Sequence, residues 1–251
     1  MQDGSDQARY RVVRCLRVSK DMEGKPCPRL KLLGSWVHGM AAVFSLIEED
    51  VIKDSQTTIE GIFEAIEEAR IACEAEGRQL PEHLWIQLDN APGENKNQWV
   101  CKAIAALVSM RVFRSATVAF LRVAHTHEDL DAVWGVNATI LGGQLRWDSP
   151  EQIAQHTSKV VDSLLGSSAN THVRRMDFVR DWKSWTDSLG ISGVPGITGK
   201  GSPHYYRFSL REDRSLENVF PLHYPRWVMS DPDVRRGGRG WSGRARGGGF
   251  M

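Results

Sequence analysis

A chain of 251 residues with 41% hydrophobic content is long enough to bury one large core, so a single globular body, with or without an appendage, is the starting expectation. No stretch approaches the roughly 18 uncharged apolar residues that a membrane helix needs, and the opening MQDGSDQARYRVVRC lacks the apolar centre of a signal peptide, so an intracellular protein with no membrane partner is expected. The formal charge of +1 excludes a uniformly basic body, and Cys15, Cys27, Cys73 and Cys101 form no C-x-x-C pair, which argues against a zinc ribbon or a disulfide framework.

Two strand candidates come first, RLKLLGSWVHG (29–39) and AAVFSLIEE (41–49), joined at Gly39 and Met40 in a tight hairpin. A helix follows, with Thr57 and Glu60 at capping-box spacing and Ile59, Ile62, Phe63, Ile66 and Ala69 on one face. Glu60, Glu64, Glu67 and Glu68 fall largely elsewhere and are expected to form a solvated face. After Gly77 and Pro81, HLWIQLDNA alternates as a strand does, with Asp89 at its C-terminal end. PGENKNQWVCKAIAALVSMRVF gives a turn and a helix with Val100, Ile104, Leu107 and Val108 buried. SATVAFLRV (115–123), apolar on both faces apart from Arg122, predicts a central strand.

The segment AHTHEDLD (124–131) opens the next helix. Thr126 is placed to cap it, and the helix dipole favours Glu128 and Asp129 in a first turn, so those three need no function. The dipole does not account for His125, His127 or Asp131, and His127 and Asp131 are i, i+4 neighbours. Asp89 ends the neighbouring strand, and ligands of parallel α/β sheets gather beyond the carboxyl ends of strands. These residues make a candidate metal site.

Further on, SPEQIAQHTSKVVDSLLG (149–166) predicts a helix capped by Ser149 with Gln152, VRRMDFVRDWKSWTDSLG (173–190) a short helix, and SPHYYRFSLRED (202–213) a late strand. Arg174, Arg175, Arg180 and Lys183 interleave with Trp182 and Trp185, which suits a nucleic-acid surface, although tryptophans are more often packed into a core. The tail RRGGRGWSGRARGGGFM (235–251) holds five arginines and no acid, so the remainder sums to about −4. Its composition predicts disorder, and Arg235, Arg236, Arg239, Arg244 and Arg246, with Trp241 and Phe250 for stacking, suit sequence-tolerant contact with RNA or single-stranded DNA.

In order, DGSDQARYR (3–11), LKLLGSWVHG (30–39), LWIQLDNAPGENKN (84–97), AHTHEDLD (124–131) and VRDWKSW (179–185) resemble an uncharacterised, transposon-derived family, domain-of-unknown-function family 7869. That family in turn resembles the ribonuclease-H-like catalytic domains of DDE transposases and integrases. The resemblance implies an α/β fold with a mixed sheet flanked by helices over residues 1–147, a helical extension over 148–228, and the disordered tail over 229–251. It also implies a nuclear protein acting on DNA or RNA, with Mg²⁺ or Mn²⁺ and no small-molecule cofactor. Asp3, Asp89 and Asp131 would be the catalytic, metal-holding carboxylates, with His125, His127, Asn90, Glu94, Asn95 and Asn97 around them. Turn and helix-cap chemistry is the competing account of the asparagines.

Only Met1 and Gln2 stand before Asp3, where such a sheet places its central first strand, and Ala124 and Val13 replace the family's usual glycine and proline. A truncated first strand is therefore expected, with catalytic activity lost or incomplete in this chain. Residues 8–18 either slip into the vacancy or leave the neighbouring strands with unpaired edges. The alternative to a phosphoryl-transfer enzyme is a catalytically dead nucleic-acid-binding or protein-interaction module.

Overall fold

The computed structural model describes residues 1–4, 12, 14–15, 20, 28–121, 129–143, 146–147, 149–165, 170–198 and 202–210. Their elements, in chain order, are β1 (Gln2–Gly4), β2 (Arg14–Cys15), β3 (Lys31–Val37), β4 (Ala41–Ile47), α1 (Ser55–Ala75), β5 (His83–Leu88) and α2 (Gln98–Ser109). There follow β6 (Ser115–Phe120), α3 (Asp129–Gly143), β7 (Arg146–Trp147), α4 (Pro150–Leu165), β8 (Asn170–Met176), α5 (Trp182–Ser188) and β9 (Tyr205–Ser209).

The protein is a mixed α/β structure. One sheet has the order β1-β3-β4-β8, antiparallel except for the parallel β4–β8 pair; a second has the order β5-β6-β9, parallel then antiparallel. A two-residue ladder joins β2 to β7. The expected hairpin is present, with Met40 N–H donating to the Val37 carbonyl at 3.0 Å and Gly39 at φ +71°, a left-handed conformation that costs glycine nothing.

Alternation along β3 and β4 assigns the faces. Leu33 and Ile47 join the cluster built by α1, α2, β5, β6 and α5, whereas Leu32, Ala42, Phe44 and Leu46 join Leu130, Val133, Trp134, Ile153 and Val161 of α3 and α4. Gly34 sits on the second face. A Cβ there would stand 2.8 Å from Trp134 and 3.1 Å from Leu130, so the glycine lets α3 lie directly on β3. Because Gly34 pairs with Asp3, the same face of the sheet carries the Asp3 side chain toward α3.

Several expectations change. α1 is capped by Asp54, whose carboxylate accepts from Gln56 N–H at 2.9 Å, and Thr57 donates to the Ile52 carbonyl instead. Glu60, Glu64 and Glu68 are not solvated. Glu60 and Glu68 are buried and Glu64 nearly so, because α1 is covered on two sides: its apolar stripe by α2 and the second sheet, its glutamates by β4, β8 and the segment after β8. Glu67 pairs with Arg70 at 2.8 Å.

The segment expected as one helix over 173–190 is instead the end of β8 followed by α5. Its tryptophans pack: Trp182 and Trp185 meet Phe63 edge to face at 4.7 and 5.7 Å. Its basic residues are spoken for as well. Arg174 pairs with Glu68, Arg175 with Glu48 and Glu151, Arg180 with Glu60, and Lys183 with Asp54, so no free basic stripe forms there. The cap of α4 is as expected, with Gln152 N–H donating to Ser149 Oγ at 3.4 Å. Among the described residues no helix is long and apolar enough to cross a membrane. Cys73 and Cys101 are buried free thiols, and burial pushes the Cys101 thiol up to about 12. The tail (229–251) lies outside the described residues.

Candidate acidic site

Asp3, Asp89 and Asp131 arrive from three distant parts of the chain. β1 carries Asp3 opposite Gly34 at the centre of the first sheet's edge. β5 ends at Leu88, so Asp89 stands one residue beyond its carboxyl end, beside Leu121, whose N–H donates to the Leu88 carbonyl at 2.9 Å. Asp131 is the third residue of α3, which Leu130 and Trp134 anchor over Gly34. All three carboxylates, with Gln87 and Leu121, line one cavity of about 60 Å³.

The electrostatics bear out their proximity. Burial holds the Asp3 carboxyl up at about 6, the Gly4 N–H opposes that, and the negative charges of Asp131 and Asp89 raise it further, against the pull of Lys53. Lys53, from the β4–α1 loop, pairs with Glu94 at 2.7 Å. Its ammonium also lies 2.5 Å from where a Cβ would stand on Gly4, so any side chain at position 4 would displace it. Lys53 thus links Glu94 to the acid cluster. No motif marked it in the sequence.

The ENKN segment divides its labour. Asp89 Oδ1 accepts from Ala91 N–H at 3.1 Å and from the Asn95 amide, and Asn95 in turn accepts from Thr58 Oγ1 at 2.8 Å. Buried Asn95 therefore ties the strand-end aspartate to α1. Asn97 caps α2 by accepting from Trp99 and Val100 N–H at 3.1 and 3.2 Å, so its side chain is spent on the helix. Asn90 is half-buried next to Asp89. Lys96 is buried with its ammonium 5.6 Å from the Phe120 ring centre, and desolvation lowers its pKa. His125 and His127, like Arg235, Arg236, Arg239, Arg244 and Arg246, lie outside the described residues.

Three aspartates offer hard oxygen donors, and a divalent cation would relieve both the burial that chiefly raises the Asp3 carboxyl and the like charge of Asp131 and Asp89 that adds to it. Among the described residues no three His, Cys, Asp or Glu side chains are gathered to hold a single ion. A Mg²⁺ ion does not need that, since it commonly takes one or two carboxylates and completes its shell with water and phosphate oxygens.

Fold and cavity together define a mixed α/β domain with an acidic cleft beyond the end of a parallel strand. The chain belongs to the family described as a domain of unknown function, DUF7869, whose model matches residues 20–224. Asp89 and Asp131 lie inside that range and Asp3 before it. Neither the curated proteins nor the solved structures returned a match.

Proposed function

We propose that this is a transposase- or integrase-derived nucleic-acid-binding domain whose Asp3, Asp89 and Asp131 form a Mg²⁺ or Mn²⁺ site of the phosphoryl-transfer type, with turnover lost or incomplete in this chain. The observation that carries the reading is the convergence of those three carboxylates on one cavity. The order of elements supports it. Strands β4-β3-β1 stand in sequence beside β5-β6, with α1 and α2 between strands and α3 after β6, as in the ribonuclease-H-like arrangement.

Divalent ions bound there would supply Lewis acidity at a phosphodiester, neutralising charge on the attacking and leaving oxygens. The chain's own groups prepare the place. Asn95 and Ala91 N–H fix Asp89, Gly34 seats the helix that brings Asp131, and Lys53 tempers the negative charge around Asp3. One feature favours the second reading, a binding module without turnover: Asp3 rides on a three-residue strand that has no ladder to β5, and a misplacement of about 1 Å can cost on the order of a hundredfold in rate.

Two measurements on the purified chain separate the readings. Mn²⁺ binding followed by electron paramagnetic resonance is expected for the wild type and weakened at least tenfold in Asp89→Asn; no binding at millimolar Mn²⁺ would remove the metal site. Cleavage of DNA or RNA with Mg²⁺ or Mn²⁺ is expected to be negligible. Robust cleavage abolished by Asp89→Asn would show that the chain is a working nuclease.

A further inference from the structure

Trp85 and Tyr205 are large aromatic side chains left in the open, 63% and 65% exposed. Tryptophan is highly buried on average, and Trp134, Trp182 and Trp185 are buried here while Trp36 and Trp99 are half-buried. Alternation along the second sheet places the two rings. Ile86, Leu88, Ala116, Val118 and Phe120 turn into the core, so Trp85, Gln87, Thr117, Ala119, Tyr205 and Arg207 belong to the opposite face. Strand register sets Trp85, Thr117 and Arg207 in one row and Gln87, Ala119 and Tyr205 in the next. The small side chains of the middle strand let the rings meet across it, edge to face, with 6.3 Å between their centres.

This face runs into the acidic site. Gln87 lines the cavity of Asp3, Asp89 and Asp131, and Trp85 stands one outward position before it on the same strand. At about 3.3 Å per residue, Trp85 lies about 13 Å along the chain from Asp89, the length of about four stacked nucleotides. The charge of the face differs from that of the cavity. No outward side chain of β5, β6 or β9 is a carboxylate. Arg207 is exposed and makes no ion pair among the described residues, unlike the basic residues around α5.

We propose that this face binds single-stranded nucleic acid, with unpaired bases stacked on Trp85 and Tyr205 and the backbone met by Arg207, and that it leads the strand to the acidic cavity. The inference rests on the nucleic-acid reading above and names the form of the substrate. A duplex keeps the faces of its bases in its own stack, so exposed rings select unpaired bases. Aromatic rings accept any base, and the absence of carboxylates from the face removes the repulsion that a polyanion meets at the cleft. Stacking releases no counterions, so this surface adds affinity that salt leaves in place, beside the salt-dependent contacts of an arginine-rich tail.

The probes are a fluorescein-labelled oligothymidylate of about twelve nucleotides, within the usual site sizes for single strands, and an abasic strand of the same length, which keeps the phosphates and lacks the bases. Each is titrated into the full chain in EDTA, where no metal contributes, and followed by anisotropy. The oligothymidylate is expected to bind about fivefold tighter or more than the abasic strand. Trp85→Ala and Tyr205→Ala should each remove most of that preference and leave the abasic affinity unchanged, with Trp85→Phe retaining part of it. Both side chains are exposed, so the variants should keep the wild-type circular dichroism; should either misfold, photocrosslinks from a 4-thiothymidine strand to wild-type β5 and β9 decide alone. Equal affinity for the two strands, a base preference that survives both substitutions, or crosslinks only to other segments would overturn the proposal and leave nucleic-acid binding standing. Binding of neither strand would overturn both. A dimer that dissociates on Trp85→Ala, seen by sedimentation, would overturn the proposal by giving the face to a second copy of this chain.

Discussion

Asp3 is the most informative side chain of the acidic site, because its carboxyl reports the charges around it. Burial is the larger cause of its rise to about 6, and Asp131 and Asp89 add to it. Replacing Asp131 with Asn should therefore lower the Asp3 pKa without returning it to the usual carboxylate range, as read by carboxyl-carbon NMR titration. Millimolar Mg²⁺ should lower it further in the wild type than in the variant; an Asp3 pKa unmoved by the substitution would show the two groups to be apart. At this scale much was legible. A strand-end aspartate and a helix acid were visible as residue types in a pattern, whereas Asp3 entered only through the family resemblance, and the asparagines' turn and cap chemistry was foreseen for Asn97. Lys53 was not visible, since its place beside Gly4 arises from a loop packing against a strand 49 positions earlier in the sequence. Nor was the Asp89–Asn95–Thr58 chain, whose last bond spans 37 residues.

The first helix shows where periodicity misleads. An apolar stripe with glutamates off it predicts a half-exposed helix, yet α1 is enclosed, and its Glu60, Glu64 and Glu68 find partners that no local pattern announces. Glu60 accepts from Arg180 N–H at 3.0 Å and Trp182 Nε1 at 2.8 Å and pairs with the Arg180 guanidinium, groups about 120 residues away. Glu68 meets His172 at 2.9 Å and Arg174. β8 was missed for the same reason: its arginines suit a solvated segment until the glutamates of α1 and Glu48 are placed beside it. Removing one partner from a buried pair leaves an uncompensated charge, so Arg180→Ala should cost about 3–5 kcal/mol in urea unfolding. Glu64 differs, because burial and the neighbouring Glu60 raise its carboxyl to about 7, with Ser45 Oγ donating at 3.4 Å. A carboxyl raised on folding stabilises most below its unfolded value near 4.5, and that contribution is lost as pH climbs through 7. Glu64→Gln should thus flatten the fall in stability between about pH 4.5 and 7 and gain about 1–3 kcal/mol at pH 8. An unchanged pH profile would place the titration elsewhere.

Across the whole molecule, the distribution of charge bears on how nucleic acid would be held. The body sums to about −4, its cleft is acidic, and the basic residues around α5 are committed to glutamates and an aspartate. A polyanion therefore finds little attraction on those surfaces, and the five arginines of residues 235–251 would offer the phosphate contacts that those surfaces do not. Deleting that tail should weaken binding to a single-stranded oligonucleotide and reduce the slope of log affinity against log salt by up to about 3.5, at roughly 0.7 per phosphate neutralised. The same deletion should leave the thermal midpoint within a degree or two, since a composition of glycine and arginine offers too little apolar side chain to stabilise the body. Fluorescence anisotropy at several salt concentrations, on full-length and truncated chains, measures the first effect, and calorimetry the second. A slope that survives the truncation would move the binding surface onto the body. The acidic cleft could then attract a phosphodiester only after divalent ions had reversed its charge, so that slope should become steeper on adding Mg²⁺ and flatten again in Asp89→Asn.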